Sequence, residues 1–219
     1  MNNYKLKNII YLLIWFGFLY LIVQWVKYKF PQWKGWLGER FVNKKLTGLD
    51  PKQYINLSDV LLPSTGNTST TQIDHIIVSR FGIFCIETKD YSGWIFGKAS
   101  DQYWTQVIYR RKSRFYNPLR QNYAHTKAIE ALIKPRFQNT PIYSFIIFPS
   151  ADKLKITGTD TVGNGRDTVE KIRQYTDLVL SDSERDEICS IIKNADIKDK
   201  KSRRSHIESA KGLKRLNDS

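Results

Sequence analysis

Uncharged and largely apolar side chains fill one continuous stretch near the N-terminus, residues 9–26. Gln24 is the only strongly polar side chain within it. As a helix, the stretch would rise roughly 27 Å, close to the ~30 Å hydrocarbon thickness of a bilayer. The alternatives are a buried helix and a cleaved signal peptide. A signal peptide requires small residues at a cleavage site, and here Lys-Tyr-Lys-Phe-Pro follows. The pattern predicts a transmembrane helix over about residues 9–26, within an N-terminal membrane anchor of residues 1–29.

Basic residues on either side of this stretch predict its orientation. Lysines 5 and 7 precede it, and a larger basic group follows it, opposed only by Glu39. That group consists of Lys27, Lys29, Lys34, Arg40, Lys44 and Lys45. Basic residues collect on the cytoplasmic side of a membrane. The heavier C-terminal flank therefore predicts a single-pass membrane protein whose C-terminal domain faces the cytoplasm.

The remaining chain alternates between helical and β-strand patterns. Apolar residues recur at helical spacing in residues 33–46. A second helix is predicted from Asn117 to about Lys134, because Pro118 is tolerated in a first helical turn. Apolar and β-branched runs predict strands at residues 72–79, 83–89, 94–96, 103–109 and 142–148.

Weaker patterns complete the prediction. Residues 49–66 have one apolar stretch and are interpreted as a connection. Two further helices, to about residues 178 and 193, are predicted from their polar starts, Asp167 with Glu170 and Ser181 with Glu184. Residues 194–219 hold few apolar side chains, which predicts a basic tail that is flexible or weakly helical.

Composition restricts the class of protein and its partners. Hydrophobic residues make up 41% of the chain and aromatic residues 13%, enough to fill a core. The 35 Lys and Arg against 21 Asp and Glu give a formal charge of +14, which favours nucleic acid or an anionic membrane as partner. The two cysteines, Cys85 and Cys189, are too few for a zinc ribbon or a disulfide framework.

Candidate chemistry is concentrated in the hairpin of residues 72–89. If Arg80 and Phe81 form a two-residue turn, the antiparallel register places Asp74 opposite Glu87, with their side chains on one face. Lys89 follows Glu87 by two residues and shares that face, because side chains alternate along a strand. The spacing predicts that two carboxylates and one ammonium group converge.

Two adjacent carboxylates repel each other unless a proton or a cation lies between them. Their oxygens suit Mg²⁺ or Mn²⁺, which also bind phosphate oxygens and lower the pKa of bound water. Lys89 would orient that water and neutralise developing charge. The alternative is a surface ion pair at the end of a strand.

The hairpin and its surroundings resemble a known family. The stretch from Thr71 to Gly97 reads TQIDHIIVSRFGIFCIETKDYSGWIFG and resembles the core of the nuclease-related domain (NERD) family, a branch of the restriction-endonuclease-like PD-(D/E)xK superfamily. Gly38-Glu39 and the segment from Asn117 to Gln121, followed by His125, resemble its flanking motifs. The resemblance covers about residues 33–148.

The resemblance implies an α/β fold with a restriction-endonuclease-like αβββαβ core, in which helices flank a central mixed sheet. The transmembrane helix predicted from the apolar stretch precedes this domain in the chain. It also implies divalent-metal dependence and phosphodiester hydrolysis. Asp74, Glu87 and Lys89 match the catalytic set, and Gln121 matches the glutamine of the helix that follows. Metal binding is implied for Asp74, Glu87 and Glu39. His125 stands where the superfamily often has an aromatic residue, which leaves its role open.

A basic run lies between the hairpin and the end of the second helix. The residues interpreted as nucleic-acid-binding are Arg110, Arg111, Lys112, Arg114 and Arg120. A solvated protein face is the equal alternative for such a run. Trp94 and Trp104 are interpreted as packing residues in preference to platforms for stacked bases.

These observations favour a membrane-anchored nuclease that uses Mg²⁺ or Mn²⁺ and acts on nucleic acid, with DNA favoured over RNA. Its nuclease-like domain with C-terminal helices is expected at residues 33–193. The alternative is a non-catalytic, membrane-tethered nucleic-acid-binding or scaffold protein that keeps the nuclease fold.

Overall fold

The computed structural model describes residues 3–66 and 69–217, without the side chains of residues 3–6, 8–10, 26–37, 39, 211 and 213–217. Its helices are α1 (Asn3–Leu46), α2 (Pro118–Ile133), α3 (Gly165–Ile172), α4 (Asp182–Ala195) and α5 (Lys200–Asn217). Its strands are β1 (Tyr54–Pro63), β2 (Thr70–Ser79), β3 (Gly82–Thr88), β4 (Gly93–Lys98), β5 (Tyr103–Ile108), β6 (Arg111–Tyr116), β7 (Ile142–Ile147), β8 (Ala151–Thr157) and β9 (Val162–Gly163). The chain forms two compact units, Met1–Leu37 and Gly38–Ser219.

The N-terminal unit contains the stretch predicted to span a membrane. Within the part of the chain that the structure describes, no helix is long and apolar enough to cross a membrane. The predicted transmembrane helix at residues 9–26 is therefore unsupported.

A five-stranded mixed sheet forms the centre of the second unit, in the order β1-β2-β3-β7-β9. The β1–β2 and β2–β3 pairs are antiparallel, and the β3–β7 and β7–β9 pairs are parallel. Ser79 pairs with Gly82, and the β2–β3 ladder continues to His75 and Ile86, so the predicted hairpin register is confirmed. Gly82 closes the turn at φ +123, where a Cβ would meet the Tyr143 ring at 2.8 Å.

Apolar residues cover both faces of this sheet, because β2 and β3 are central strands. On one face, Ile76 and Cys85 pack against α2 and α4. On the other face, Ile77 and Phe84 pack with Val42 of α1 and with α3. The predicted mixed α/β architecture with flanking helices is thus observed, and the order α1, β1–β3, α2, β7 follows the expected αβββαβ pattern with β4–β6 inserted.

A second, four-stranded sheet has the order β6-β5-β4-β8. One of its faces packs on β7 through Ile95 and Trp104, which contact Ile146 and Phe148. Gly97 allows the Trp104 indole to lie against the backbone of β4, since a Cβ there would be 2.3 Å from the ring. The opposite face of this sheet carries alternating exposed side chains.

Several elements differ from the prediction. β1 occupies most of the predicted connection at residues 49–66, where the left-handed backbone of Asp59, at φ +56, interrupts the side-chain alternation. β6 and β8 are exposed edge strands rich in basic residues. β6 is held in the sheet by pairing with β5, and β8 by pairing with β4. Helix α3 starts after Asn164, which caps it, and ends at Ile172. The tail was predicted to be flexible or weakly helical, and residues 200–217 of it form helix α5.

Candidate active site

The end of β3 brings an acidic side chain into the protein interior. Glu87 follows the fully buried residues 83–86 on the strand between β2 and β7, and only 3% of Glu87 is exposed. It lies on the same sheet face as Cys85, since side chains alternate along β3. That face is the one covered by α2. A carboxylate in such a place requires donors or a cation, because an isolated buried charge is very costly.

Three side chains supply those donors. Lys89 Nζ lies 2.6 Å from Glu87 Oε1, and Gln121 Nε2 donates to the same oxygen at 2.7 Å. His125 Nε2 lies 3.1 Å from Glu87 Oε2. Lys89 Nζ also donates to Gln121 Oε1 at 2.8 Å, so Lys89, Gln121 and Glu87 form a closed ring of contacts. We call Asp74, Glu87, Lys89, Gln121 and His125 the Glu87 cluster.

Charge pairing determines the protonation states in this cluster. Burial raises the pKa of Glu87, but the Lys89 charge and the His125 hydrogen bond together outweigh it and hold that pKa well below its usual range. Burial lowers the pKa of Lys89, and the neighbouring Glu87 charge more than reverses this, so its pKa is raised. Both groups are therefore ionised at neutral pH. The ionised pair places a fixed positive charge beside a fixed negative charge in a poorly solvated site.

Asp74 joins the cluster from β2. One step beyond the His75–Ile86 pair, the hairpin register brings position 74 opposite position 87. Asp74 Oδ2 accepts a hydrogen bond from the backbone N–H of Thr88 at 2.7 Å. Its charge also contributes to the raised pKa of Lys89. The predicted convergence of two carboxylates and a lysine is thus present in the structure.

Two buried asparagines fix α2 over the end of β3. Asn117 caps the helix by accepting from Leu119 N–H and holds the β4–β5 turn by donating to the backbone oxygen of Ala99. Asn122 donates to the Cys85 carbonyl at 2.9 Å and to Ser144 Oγ at 2.8 Å. These bonds tie α2 to β3 and β7, which fixes the helix face that carries Gln121 and His125.

His125 is the site residue whose role the sequence left open. Its Nδ1 lies 2.6 Å from Thr71 Oγ1, while its Nε2 contacts Glu87. Both ring nitrogens are satisfied when Thr71 Oγ1–H donates to Nδ1 and Nε2–H donates to Glu87. The spacing of Gln121 and His125 was a usable indication, because residues four apart share a helix face.

The donor set fits a hard cation only in part. Asp74 and Glu87 offer two carboxylates, a set that Mg²⁺ uses together with water and phosphate oxygens. Glu87 already accepts from three side chains, which limits the lone pairs left to it. Within the described residues, no group of three or more His, Cys, Asp or Glu side chains is arranged to hold a metal ion. The predicted third ligand, Glu39, has a side chain outside the described residues.

The five basic residues predicted to bind nucleic acid are not brought to one place. Arg110 lies in the β5–β6 turn, and Lys112 and Arg114 are exposed along β6 next to Arg111. Arg120 belongs to α2 and donates to the Ser100 backbone oxygen in the β4–β5 turn, at the opposite end of the small sheet. The set thus divides into a group around β6 and a separate arginine.

Fold and site together define a mixed α/β domain with an acidic–lysine–glutamine cluster at the end of a central strand. Residues 34–149 match the family model described as "Nuclease-related domain". An uncharacterized protein of Bacillus anthracis is 41% identical over 187 residues, which cover 84% of this chain and 86% of that protein. No solved structure matches the chain. The chain belongs to the nuclease-related domain (NERD) family.

Proposed function

We propose that this protein hydrolyses phosphodiester bonds in nucleic acid with the help of a divalent metal ion, and that the Glu87 cluster is its active site. The observation that carries the proposal is the buried, ionised Glu87 beside Lys89 and Gln121, with Asp74 next to them on the neighbouring strand. A restriction-endonuclease-like reading of the αβββαβ core agrees with this arrangement. DNA is the favoured substrate.

Each residue has a distinct part in the proposed reaction. Asp74 and Glu87 would hold Mg²⁺ or Mn²⁺, which when bound activates water and neutralises phosphate charge. Lys89 holds a positive charge 2.6 Å from Glu87 Oε1, where it can orient a water molecule and stabilise charge that develops on the phosphate. Gln121 bridges Lys89 and Glu87 and keeps both in one geometry.

A cleavage assay on the full chain tests this proposal. Labelled single- and double-stranded DNA and RNA are incubated with Mg²⁺, with Mn²⁺ and with a chelator. We expect cleavage in the presence of metal, its loss in the chelator, and its loss in Asp74→Asn. Asp177→Asn, which removes an exposed carboxylate elsewhere, is the matched control and retains cleavage. Equal cleavage in the chelator, or in Asp74→Asn, refutes the assignment.

A second candidate function has its own supporting observation. Glu87 is satisfied by Lys89, Gln121 and His125 without any ligand, as expected of a structural ion-pair network. On this reading the protein binds nucleic acid and acts as a scaffold without turnover. Binding that persists in a wild-type chain that shows no cleavage with any divalent metal would favour this candidate.

Attachment to a membrane, with residues 30–219 facing the cytoplasm, is a further part of the proposal. Its support is the apolar surface of α1, where large apolar side chains from Tyr11 to Trp25 are between 40% and 67% exposed. Such a continuous apolar surface is unfavourable in water. We expect the full chain in the membrane fraction and a cytoplasm-specific reporter fused after Ser219 to be active. Recovery of the full chain in the soluble fraction would contradict the attachment.

A further inference from the structure

The outward face of the four-stranded sheet has an unusual composition. Its strands alternate between residues that pack on β7 and residues that face solvent, as the pairing of Trp94 with Val107 and Lys153 shows. The solvent side combines aromatic rings with cations, and we call it the basic–aromatic face. Its members are Trp94, Phe96, Lys98, Tyr103, Lys112, Arg114, Tyr116, Lys153 and Lys155.

Cations lie directly over the rings of this face. Lys155 Nζ is 4.9 Å from the Trp94 ring centroid and 5.1 Å from that of Phe96, and Lys153 Nζ is 5.2 Å from Trp94. Toward the opposite edge of the same face, the Arg114 guanidinium is 5.0 Å from the Tyr103 ring centroid. Each contact is a cation–π pair at the surface, where the partner can be exchanged for a ligand.

Negative charge is nearly absent from these strands. β4, β5 and β6 contain no Asp or Glu, and β8 contains only Asp152, at the irregularity between Gly93 and Trp94. In the part of the chain that the structure describes, no ion pair joins a cation of the basic–aromatic face to a carboxylate. These charges are therefore available to an anionic partner.

The tip of the β5–β6 hairpin adds an exposed ring held by a strained backbone. Tyr109 has φ +53 and is 99% exposed. A left-handed conformation is unfavourable for a bulky residue, and glycine or asparagine is usual at such a position. The Tyr109 ring therefore lies in solvent, next in sequence to Arg110 and Arg111.

We propose that the basic–aromatic face binds single-stranded nucleic acid, with bases stacked on Trp94 and Phe96 and phosphates bound by the surrounding cations. Unpaired bases offer flat surfaces that stack on aromatic rings, whereas a duplex presents its phosphates and keeps its bases stacked inside. The cations would attract any of the three anionic partners. The row of rings favours the single strand, because a duplex keeps its bases stacked inside and a membrane has no bases to stack.

This inference names an unpaired strand as the substrate of the proposed nuclease. Only the cleavage step rests on the proposed nuclease function. Trp94 follows Lys89 by five residues, so their Cα atoms are at most about 18 Å apart. The Trp94 end of the face is therefore within about 18 Å, backbone to backbone, of one residue of the Glu87 cluster.

Fluorescence anisotropy on the full chain tests the binding surface separately from catalysis. The probe is a labelled oligothymidylate of about 20 nucleotides, long enough for an extended binding site, measured in a chelator so that metal-dependent cleavage cannot occur. An oligouridylate, a duplex of equal length and phosphatidylserine vesicles are measured beside it. Trp94→Ala removes the ring, Trp94→Phe keeps one, and Tyr123→Ala removes an exposed ring of α2 that also carries a lysine, Lys127, over its face.

We expect Trp94→Ala to raise the Kd for the single strand by about tenfold or more, as for the loss of one stacked base. The Kd values of Trp94→Phe and Tyr123→Ala for the single strand should stay within about threefold of the wild-type value. Lys153→Ala and Lys155→Ala should each reduce the log–log salt slope by about 0.7. Equal affinity for single strand and duplex, or a loss in Trp94→Ala that appears only on vesicles, overturns the proposal.

The two proposals fail in distinguishable ways. Tight single-strand binding that depends on Trp94, in a chain that cleaves nothing with added Mg²⁺ or Mn²⁺, supports the surface and refutes the nuclease function. Metal-dependent cleavage with single-strand affinity that is unchanged in Trp94→Ala refutes the surface and leaves the nuclease function standing.

Discussion

The two sheets of this protein place their charged residues in opposite environments. In the five-stranded sheet, Glu87 is buried and contacts Lys89, Gln121 and His125. In the four-stranded sheet, Lys153 and Lys155 lie in solvent over the rings of Trp94 and Phe96. Buried charges interact strongly and depend on exact geometry, whereas exposed charges are screened by salt. The Glu87 cluster should therefore control the rate of a reaction, and the basic–aromatic face should control affinity.

Chain connectivity joins the two regions. β4, β5 and β6 are inserted between Lys89 and Gln121, which meet in the Glu87 cluster. Asn117 links the insertion to α2 through the Ala99 carbonyl. Three of the four strands that form the proposed binding surface thus lie in the chain between two residues of the Glu87 cluster.

Among variants that leave both carboxylates in place, Lys89→Met should have the largest effect. Removing the ammonium beside Glu87 should lower the single-turnover cleavage rate by roughly 10²- to 10³-fold, as for other electrostatic stabilisers of a transition state. The Kd for a single strand should change less than about threefold, because exposed cations dominate that affinity. Lys134→Met, on the exposed side of α2, is the control. An equal loss in rate and affinity would break the proposed division between the two regions.

Besides its effect on cleavage, Glu87→Gln should lower the free energy of unfolding. It leaves the mostly buried Lys89 ammonium without its partner, which typically costs about 3 kcal/mol in the free energy of unfolding. The pKa of Glu87 is lower in the folded protein than in the unfolded chain, where it is ~4.3. The ionised Glu87 therefore stabilises the folded protein fully above that unfolded pKa, and this stabilisation is lost as the pH falls through the folded pKa. The free energy of unfolding should therefore decline less at acid pH in the variant.

Urea unfolding followed by circular dichroism from about pH 3 to pH 7 measures this difference. Glu130→Gln, which removes an exposed ion pair with Lys127, should change the curve little, since exposed pairs are screened. If the free energy of unfolding falls as steeply at acid pH in Glu87→Gln as in the wild type, Glu87 is not held ionised by its neighbours.

A smaller effect is expected at His125, which acts by positioning Glu87. His125→Leu removes the contact with Glu87 Oε2 and should raise the Mg²⁺ concentration for half-maximal cleavage by roughly 10-fold, as for residues that orient metal ligands. His125→Gln keeps a donor and should restore most of the metal response. A structural role alone predicts reduced thermal stability in both variants with an unchanged metal response.

The smallest expected effect separates two of the basic residues that the sequence grouped together. Lys112→Ala, on the basic–aromatic face, should reduce the single-strand salt slope by about 0.7. Arg120→Ala should leave the slope unchanged, because Arg120 is bound to the Ser100 carbonyl at the other end of the sheet. Equal slopes in the two variants would extend the binding surface to α2.

The hairpin could be predicted from sequence because its register depends on local rules. A two-residue turn and strict alternation placed Asp74, Glu87 and Lys89 on one face, and the ladder confirms the register. The capping box of Ser181 and Glu184 was equally local, and α4 begins there. Such features need no knowledge of distant residues.

Features that depend on distant partners were not predictable in this way. The sequence of β6 is rich in basic residues and predicted no strand, and β6 forms by pairing with β5. The role of His125 follows from Thr71, on another strand, as much as from Glu87. The spacing also predicted that Asp74 and Glu87 repel each other unless a proton or a cation lies between them. The structure instead pairs Glu87 with Lys89, so the charge of Glu87 stabilises the fold without a ligand.

The most direct measurement of the central claim is the single-turnover cleavage of one labelled single strand by wild-type protein and by Glu87→Gln, with the Kd of the same strand measured in parallel. If the Glu87 cluster is the active site and the basic–aromatic face is the binding surface, cleavage in Mg²⁺ disappears in Glu87→Gln and the Kd stays within about threefold of wild type. Cleavage that continues in Glu87→Gln at the wild-type rate would contradict the account.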